Sequence, residues 1–286
     1  MQPPVLIKNR SSYKRLAEII DAQGFALIET PREITKIIST IFAVAPTFFN
    51  QSPARKMEDG FCNLASGYRG IGTEFSISNQ RYDLLESFSY LAVEEPIVRS
   101  GLSDSAMILY NLLKKYTSSL ERLIDRVISN LARVYGAETK QLDLFSTRYS
   151  PTQINYYEPY QYRRRVLVDP HEDGVLLTAL VADCPGLEIL GLRGECTPIE
   201  CSCNTTVLMA GELLALLTGY SISPIRHRVR RYSNQKSRLS LVHFANVNID
   251  TPVFPWLVND QNRNIDIVAK AINNPTRFGL PPLNRQ

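Results

Sequence analysis

The chain of 286 residues holds only three histidines: His171, His227 and His243. In His171-Glu172-Asp173, an imidazole and a carboxylate stand two positions apart. On a strand, residues two apart project to one face. His227 follows in a separate β-type run. Two imidazoles and one carboxylate on one face of a metal ion are the ligand set that suits Fe(II), and they leave half of an octahedron open. The open positions accept a bidentate 2-oxo acid and O2. This spacing predicts that His171, Asp173 and His227 hold a metal and form the catalytic centre.

Arg238-Leu239-Ser240 comes shortly after His227. Arg238 and Ser240 face the same way on a strand. An Arg fork beside a hydroxyl is made to hold a carboxylate by charge-assisted hydrogen bonds. His243 has the opposite parity to Arg238 and reads as structural. Cys196, Cys201 and Cys203 have the spacing C-x4-C-x-C. No fourth partner stands at zinc-site spacing, so they read as free thiols rather than a second metal site.

Taken in order, His171-x-Asp173, His227 and Arg238-x-Ser240 resemble the isopenicillin N synthase-like branch of the Fe(II)/2-oxoglutarate-dependent oxygenases. Asn155-Tyr156-Tyr157 and Gly186-Leu187-Glu188-Ile189 are similar to stretches before and after the first ligand pair in that branch. Gly67-Tyr68 with Glu74, then Asp83 with Glu86-Ser87-Phe88, resemble features of its N-terminal region. The resemblance implies a double-stranded β-helix (jelly roll) core with Fe(II) bound by His171, Asp173 and His227. It implies that Arg238 and Ser240 bind the distal carboxylate of the cosubstrate 2-oxoglutarate, with Tyr157 and Asn155 at the oxo-acid end. O2 is the second cosubstrate. The implied reaction couples 2-oxoglutarate decarboxylation to hydroxylation, desaturation or cyclisation of a small natural-product intermediate. The presence of Asp173 argues against a halogenase, which lacks that ligand. Glu158 after the Asn-Tyr-Tyr stretch and the Cys-rich segment 196–203 depart from the branch. They bear on the substrate, because loops at the barrel mouth select it.

Those residues need a scaffold. Residues 12–23 carry Leu16, Ile19 and Ile20 at helical spacing, and Gly24 ends the helix. Residues 25–28 read as a short strand. Thr30-Pro31-Arg32-Glu33 reads as a capping box opening a helix with Ile34, Ile37, Ile38 and Ile41 on one face. Residues 51–80 read as loop and short strand. A long helix is expected over about 103–135, with a buried stripe of Leu112, Tyr116, Leu120, Leu123, Val127, Ile128 and Leu131 and a stop at Gly136. Short β runs follow at 152–157, 165–168, 175–182, 187–190, 205–209, 213–217, 226–232 and 238–246, punctuated by turn residues such as Pro185-Gly186, Gly194 and Ser233-Asn234. A helix is expected at 264–272. The fold class is therefore α+β and mainly β, a jelly-roll core flanked by helices from the N-terminal region. One unit spans 1–286: a mainly helical region 1–140, the core 141–250, and a C-terminal helix and tail 251–286. Val175, Leu177 and Val207 are expected to face the barrel interior. The mouth is expected from 60–80, 158–165, 191–203 and the tail, where Arg69 and Arg163–Arg165 read as ordinary surface arginines in preference to cations for an acidic substrate.

Composition narrows the class. Apolar residues make up 44% and charged residues 21%, ordinary for a globular protein. A net charge of +4 is too small to suggest nucleic acid as a partner, and the basic runs Arg163–Arg165 and Arg226–Arg231 read as mostly solvated edges. No apolar run reaches the roughly 20 residues of a membrane span. MQPPVLIKNR lacks the apolar stretch of a secretion signal, and five cysteines suggest reduced thiols, so a cytoplasmic setting is expected. A small-molecule partner is expected; the oligomeric state stays open. Two other readings share these residues: an iron oxidase that does not use 2-oxoglutarate, and a non-catalytic jelly-roll module that binds a metal or ligand.

Overall fold

The long amphipathic helix expected near the middle of the chain forms as Asp104–Val134, with Ser103 capping its N-terminus. Its buried face includes Leu113, Tyr116, Leu120, Leu123, Val127 and Leu131, so Leu113 rather than the half-buried Leu112 continues the stripe. This is a computed structural model that describes residues 3–76, 81–137, 144–158, 164–191, 193–232, 237–258 and 265–280. In chain order the elements are β1 (Val5–Leu6), α1 (Arg10–Gln23), β2 (Phe25–Glu29), α2 (Arg32–Phe49), α3 (Pro53–Met57), β3 (Gly67–Arg69), β4 (Glu86–Tyr90), α4 (Glu95–Val98) and α5 (Asp104–Val134). There follow β5 (Thr152–Tyr157), β6 (Val166–His171), β7 (Leu177–Ala182), β8 (Leu187–Leu190), β9 (Cys196–Pro198), β10 (Thr205–Ala210), α6 (Glu212–Leu217), β11 (His227–Arg230), β12 (Arg238–Ala245) and α7 (Ile267–Asn273). Among the described residues no helix is long and apolar enough to cross a membrane.

Two sheets make the core. The larger has the strand order β1-β2-β10-β7-β12-β5-β4-β3, the smaller β6-β11-β8-β9. Alternation along the central strands separates two apolar layers. Leu177, Ala179 and Val181 of β7 and Leu239, Leu241 and Ala245 of β12 pack in the main core with the buried faces of α1, α2 and α5. Leu180 and Ala182, with Val207, Met209 and Val242, meet Leu187 and Ile189 of the smaller sheet. The second layer is the barrel interior. Val207 lies in it as expected. Leu177 is turned to the helices instead, and Val175 precedes β7 and packs against Gly279.

Several local expectations change. Residues 213–217 form helix α6, not a strand. All of Leu213–Leu217 are buried, so the apolar run carries no alternation and its period cannot be read. The Thr30 capping box does not form: Pro31 caps α2 without a side-chain bond, and the Thr30 hydroxyl shares a hydrogen bond with Thr206 of β10 at 2.8 Å. A capping box does open α1, between Asn9 and Ser12. The 264–272 helix is observed as α7; residue 264 and the Ser233-Asn234 turn lie outside the described residues.

His243 is fully buried on the helix-facing side of β12, as its parity requires. Its Nδ1 shares a hydrogen bond with Thr152 at 2.8 Å, and the Phe145 ring meets it edge-on. Burial pulls its pKa from 6.5 down to about 3. The unfolded chain therefore takes up a proton that the folded one refuses, so this group's stabilising contribution is complete above pH 6.5 and falls as the pH drops towards 3. Urea midpoints of the wild type should decline on acidification more steeply than those of His243→Gln. Parallel slopes for the two proteins would contradict a neutral, buried His243.

Candidate active site

The smaller sheet builds the site. β11 pairs antiparallel with β6, and the register sets His227 directly opposite His171. Their ring centroids lie 4.3 Å apart. His171 Nδ1 is 2.8 Å from the Asp169 carbonyl oxygen, and His227 Nδ1 is 3.1 Å from that of Ile225. A carbonyl only accepts, so each Nδ1 carries the proton and each Nε2 keeps its lone pair. Those two Nε2 atoms flank Asp173, at 3.4 Å from Oδ1 and 3.7 Å from Oδ2 respectively. The ligand atoms of His171, Asp173 and His227 all lie within 4.8 Å of one another. No other such group of His, Cys, Asp or Glu occurs among the described residues, and the five cysteines are free.

Asp173 lies beyond the end of β6, so the strand alternation assumed for the pair does not itself aim it. The start of α6 does. The Glu212 N–H donates to the Asp173 carbonyl at 2.8 Å, and the Leu213 N–H to that of Gly174 at 3.2 Å. Gly174 is required there: a Cβ would stand 1.8 Å from the Arg277 carbonyl oxygen. Gly211, opposite, would put a Cβ 2.2 Å from the Val175 carbonyl oxygen. Thr178 of β7 then fixes the side chain, its hydroxyl donating to Asp173 Oδ2 at 2.5 Å.

Electrostatics agree with a cation-binding role. Burial pushes the Asp173 carboxyl up, but His227, His171 and the Thr178 hydroxyl outweigh it and hold the group below the carboxylate range. Burial lowers His227. It also opposes the charged form of His171, but Asp173 outweighs it and raises that imidazole. The donor set of two imidazoles and one carboxylate, each with its second atom already held, fits Fe(II).

A cavity of about 90 Å³ opens beside these ligands. Asn155, Tyr157, Leu180, Val229 and Val242 line it together with the three ligands. There β12 and β5 pair with Arg238 opposite Tyr157 and Ser240 opposite Asn155. Arg238 is 1% exposed, and none of its three guanidinium nitrogens has a hydrogen-bond partner among the described residues. The guanidinium carbon lies 5.0 Å from the centroid of the Tyr157 ring. The Ser240 hydroxyl donates to Tyr157 Oη at 3.5 Å. Gly186 passes over the fork, where a Cβ would be 2.9 Å from Arg238 Nε. A buried guanidinium without partners is costly unless an anion meets it. The fork thus fits the distal carboxylate of a bound oxo-diacid.

Residues 149–247 match the family described as the 2OG-Fe(II) oxygenase superfamily. Over these residues the chain is a member of that superfamily. This oxygenase is an Fe(II)/2-oxoglutarate-dependent dioxygenase, and Fe(II), 2-oxoglutarate and O2 are the cofactor and cosubstrates of the class. It is 26% identical over 263 residues to the 2-oxoglutarate-Fe(II) type oxidoreductase ppzC of Metarhizium rileyi, covering 77% of this chain and 68% of that protein. Its fold is shared with a full-length Neurospora crassa protein solved in complex with alpha-KG, at a TM-score of 0.75, 18% identity and coverage of 91% and 90% of the two chains. It is likewise shared with the dioxygenase for auxin oxidation 1 of Arabidopsis thaliana, solved with 2-oxoglutarate, at a TM-score of 0.72, 19% identity and coverage of 92% and 99%.

The oxygenase brings all seven sequence-predicted residues to one end of the barrel and its interior. Other expectations do not hold. Arg69 is not free for an acidic substrate: it pairs with Glu74 and donates to Ser89 and Gln153. Arg164 donates to the carbonyls of Tyr82 and Leu167, Arg165 is exposed, and Arg163 lies outside the described residues. Arg228 and Arg230 are not simply solvated, since both approach the buried Glu188. Two site residues escaped the sequence reading. Thr178 is a lone hydroxyl in an otherwise apolar strand, and Gln153 shares the parity of Asn155. Both signals were present, but only the cavity shows that these faces point to it.

Thr178→Val should weaken divalent metal affinity about tenfold while Thr178→Ser retains it, as expected for loss of a bond that orients a ligand. Equilibrium Co(II) binding measures this, and equal affinity in the Val variant would remove the orienting role.

Proposed function

We propose that the enzyme couples oxidative decarboxylation of 2-oxoglutarate to hydroxylation, desaturation or cyclisation of a small natural-product intermediate. In this reading His171 and His227 offer Nε2, and Asp173 a carboxylate oxygen, to Fe(II). Arg238 receives the distal carboxylate of 2-oxoglutarate through its fork, with the Ser240 hydroxyl beside it. Tyr157 and Asn155 wall the oxo-acid pocket. The observation that carries the reading is the buried Arg238 guanidinium, without a partner among the described residues, against the Tyr157 ring that lines the same cavity as His171, Asp173 and His227.

When bound, Fe(II) and 2-oxoglutarate supply the oxidising chemistry, in which O2 is reduced as the oxo acid loses CO2 to give succinate. The chain's own residues position and protect. The Asp169 and Ile225 carbonyls hold the imidazole tautomers, and Thr178 holds the carboxylate. Leu180, Val229, Val242 and Phe244 present apolar surface to the cavity and keep bulk water from the reacting centre. A small-molecule substrate is supported by the size of the cavity and by two structural neighbours. The Neurospora crassa protein has been solved in complex with thymine, and the Arabidopsis thaliana protein is a dioxygenase for auxin oxidation.

His171→Ala and Asp173→Ala should abolish succinate formation while near-native circular dichroism is kept. Arg238→Lys should raise the KM for 2-oxoglutarate about tenfold or more, because an ammonium cannot replace the fork. An unchanged KM would contradict the clamp. O2 uptake that continues undiminished without 2-oxoglutarate would instead select an oxidase.

A further inference from the structure

One wall of the cavity is polar, in contrast to the apolar Leu180, Val229, Val242 and Phe244. β3, β4 and β5 pair in sequence, with Arg69 opposite Ser87 and Ser89 opposite Gln153. Ser87 and Gln153 donate to Glu74, and Gln153 also donates to Asn155 at 2.6 Å. Glu74 has its counter-charge in Arg69 at 3.2 Å. Asp83, on the same cavity, has none.

Asp83 is 4% exposed. Its Oδ2 accepts from the Ser76 hydroxyl at 2.6 Å and its Oδ1 from the Asp169 N–H at 3.4 Å. Neither donor carries charge. The nearby guanidinium groups of Arg81 and Arg164 turn to the Asp169 carboxylate, at 2.9 and 4.0 Å. Among the described residues no Lys or Arg pairs with Asp83. A buried carboxylate held by neutral donors alone is unstable as an anion. Accordingly, burial pushes its carboxyl up.

The rest of the site is balanced. If Fe(II) and 2-oxoglutarate bind as proposed above, the positive charges of the metal and Arg238 are matched by Asp173 and the dianion. Arg69 matches Glu74. Among the described residues Asp83 is then the one carboxylate on the cavity with neither a metal nor a Lys or Arg paired to it. On the same cavity Leu85, Val168 and Phe244 offer apolar and aromatic surface to the body of a substrate.

We propose that Asp83 is a specificity residue that anchors a protonated amine of the substrate, so that the enzyme acts on cationic amino compounds with an apolar or aromatic body. This rests on the oxygenase reading and deepens it. Arg69 offers no cation to an acidic substrate, because it is already spent on Glu74, Ser89 and Gln153. An ammonium would donate to the second lone pairs of Asp83 Oδ1 and Oδ2, beside the bonds from Asp169 and Ser76, and would hold the carboxylate ionised.

The test uses the full chain, loaded with Fe(II) and 2-oxoglutarate under anaerobic conditions and titrated calorimetrically with two probes. Phenethylammonium carries the charge, and 2-phenylethanol is its neutral counterpart. The wild type should bind the ammonium about tenfold or more tightly than the alcohol, the scale of a charged hydrogen bond. Asp83→Asn should erase that preference while metal and 2-oxoglutarate affinities stay unchanged. Equal binding of the two probes by wild type, or a preference that survives in Asp83→Asn, overturns this inference alone. Failure of the wild type to bind metal and 2-oxoglutarate overturns the oxygenase reading and this one with it. Thermal melting checks that Asp83→Asn folds; if it does not, the wild-type comparison of the two probes decides.

Discussion

The pairing of β6 with β11 carries the rest of the site. It sets His227 opposite His171, and the backbone carbonyls two residues before each ring turn both Nε2 atoms to one point. Register is what matters here, because a slip of one residue would send His227 to the outer face of the sheet. Apolar packing secures that register. Val229 and Val168, two of the next residues along the two strands, are buried together with Leu167, Leu85 and Tyr157. The Leu187 and Ile189 side chains of β8 hold the other side of β11 against the larger sheet.

Around that pairing two charged side chains are buried without an opposite charge paired to them among the described residues. The Arg238 guanidinium has no hydrogen-bond partner there, and Asp83 has only neutral donors. Each costs folding free energy in the empty protein. Each also makes ligand binding favourable, since a ligand of opposite charge removes the penalty. The same cavity wall is neutralised where no ligand is called for, at Arg69 and Glu74, and at Lys56, Glu86 and Tyr68 behind it. The distribution of matched and unmatched charge therefore marks which parts of the interior are structural and which are made for exchangeable groups.

The misread segment shows how closely fold and site are joined. Residues 213–217 are uniformly apolar, and neither helical nor strand period can be extracted from a run with no polar positions. Folded as α6, their first turn donates backbone N–H groups to the Asp173 loop. Arg277, beyond α7, makes a bidentate ion pair with Glu212 and thereby ties the C-terminal region to the same loop. The helices expected from clear amphipathic stripes, α1, α2 and α5, formed within a few residues of their expected bounds. Those stripes are periodic because one side of each helix faces water.

The amino-acid sequence by itself determined the candidate ligand types and the shared face of Arg238 and Ser240: three histidines leave few choices, and parity alone puts those two residues on one side of a strand. It also determined the β-rich core and its helical flank, through local periodicity. Only the tertiary structure decided that Thr178 steers Asp173, that Leu177 faces the helices, and that Arg69 is already paired while Asp83 is not. Such facts depend on contacts between residues far apart in the chain. Their geometry is set by sheet register and loop packing, which no local pattern encodes.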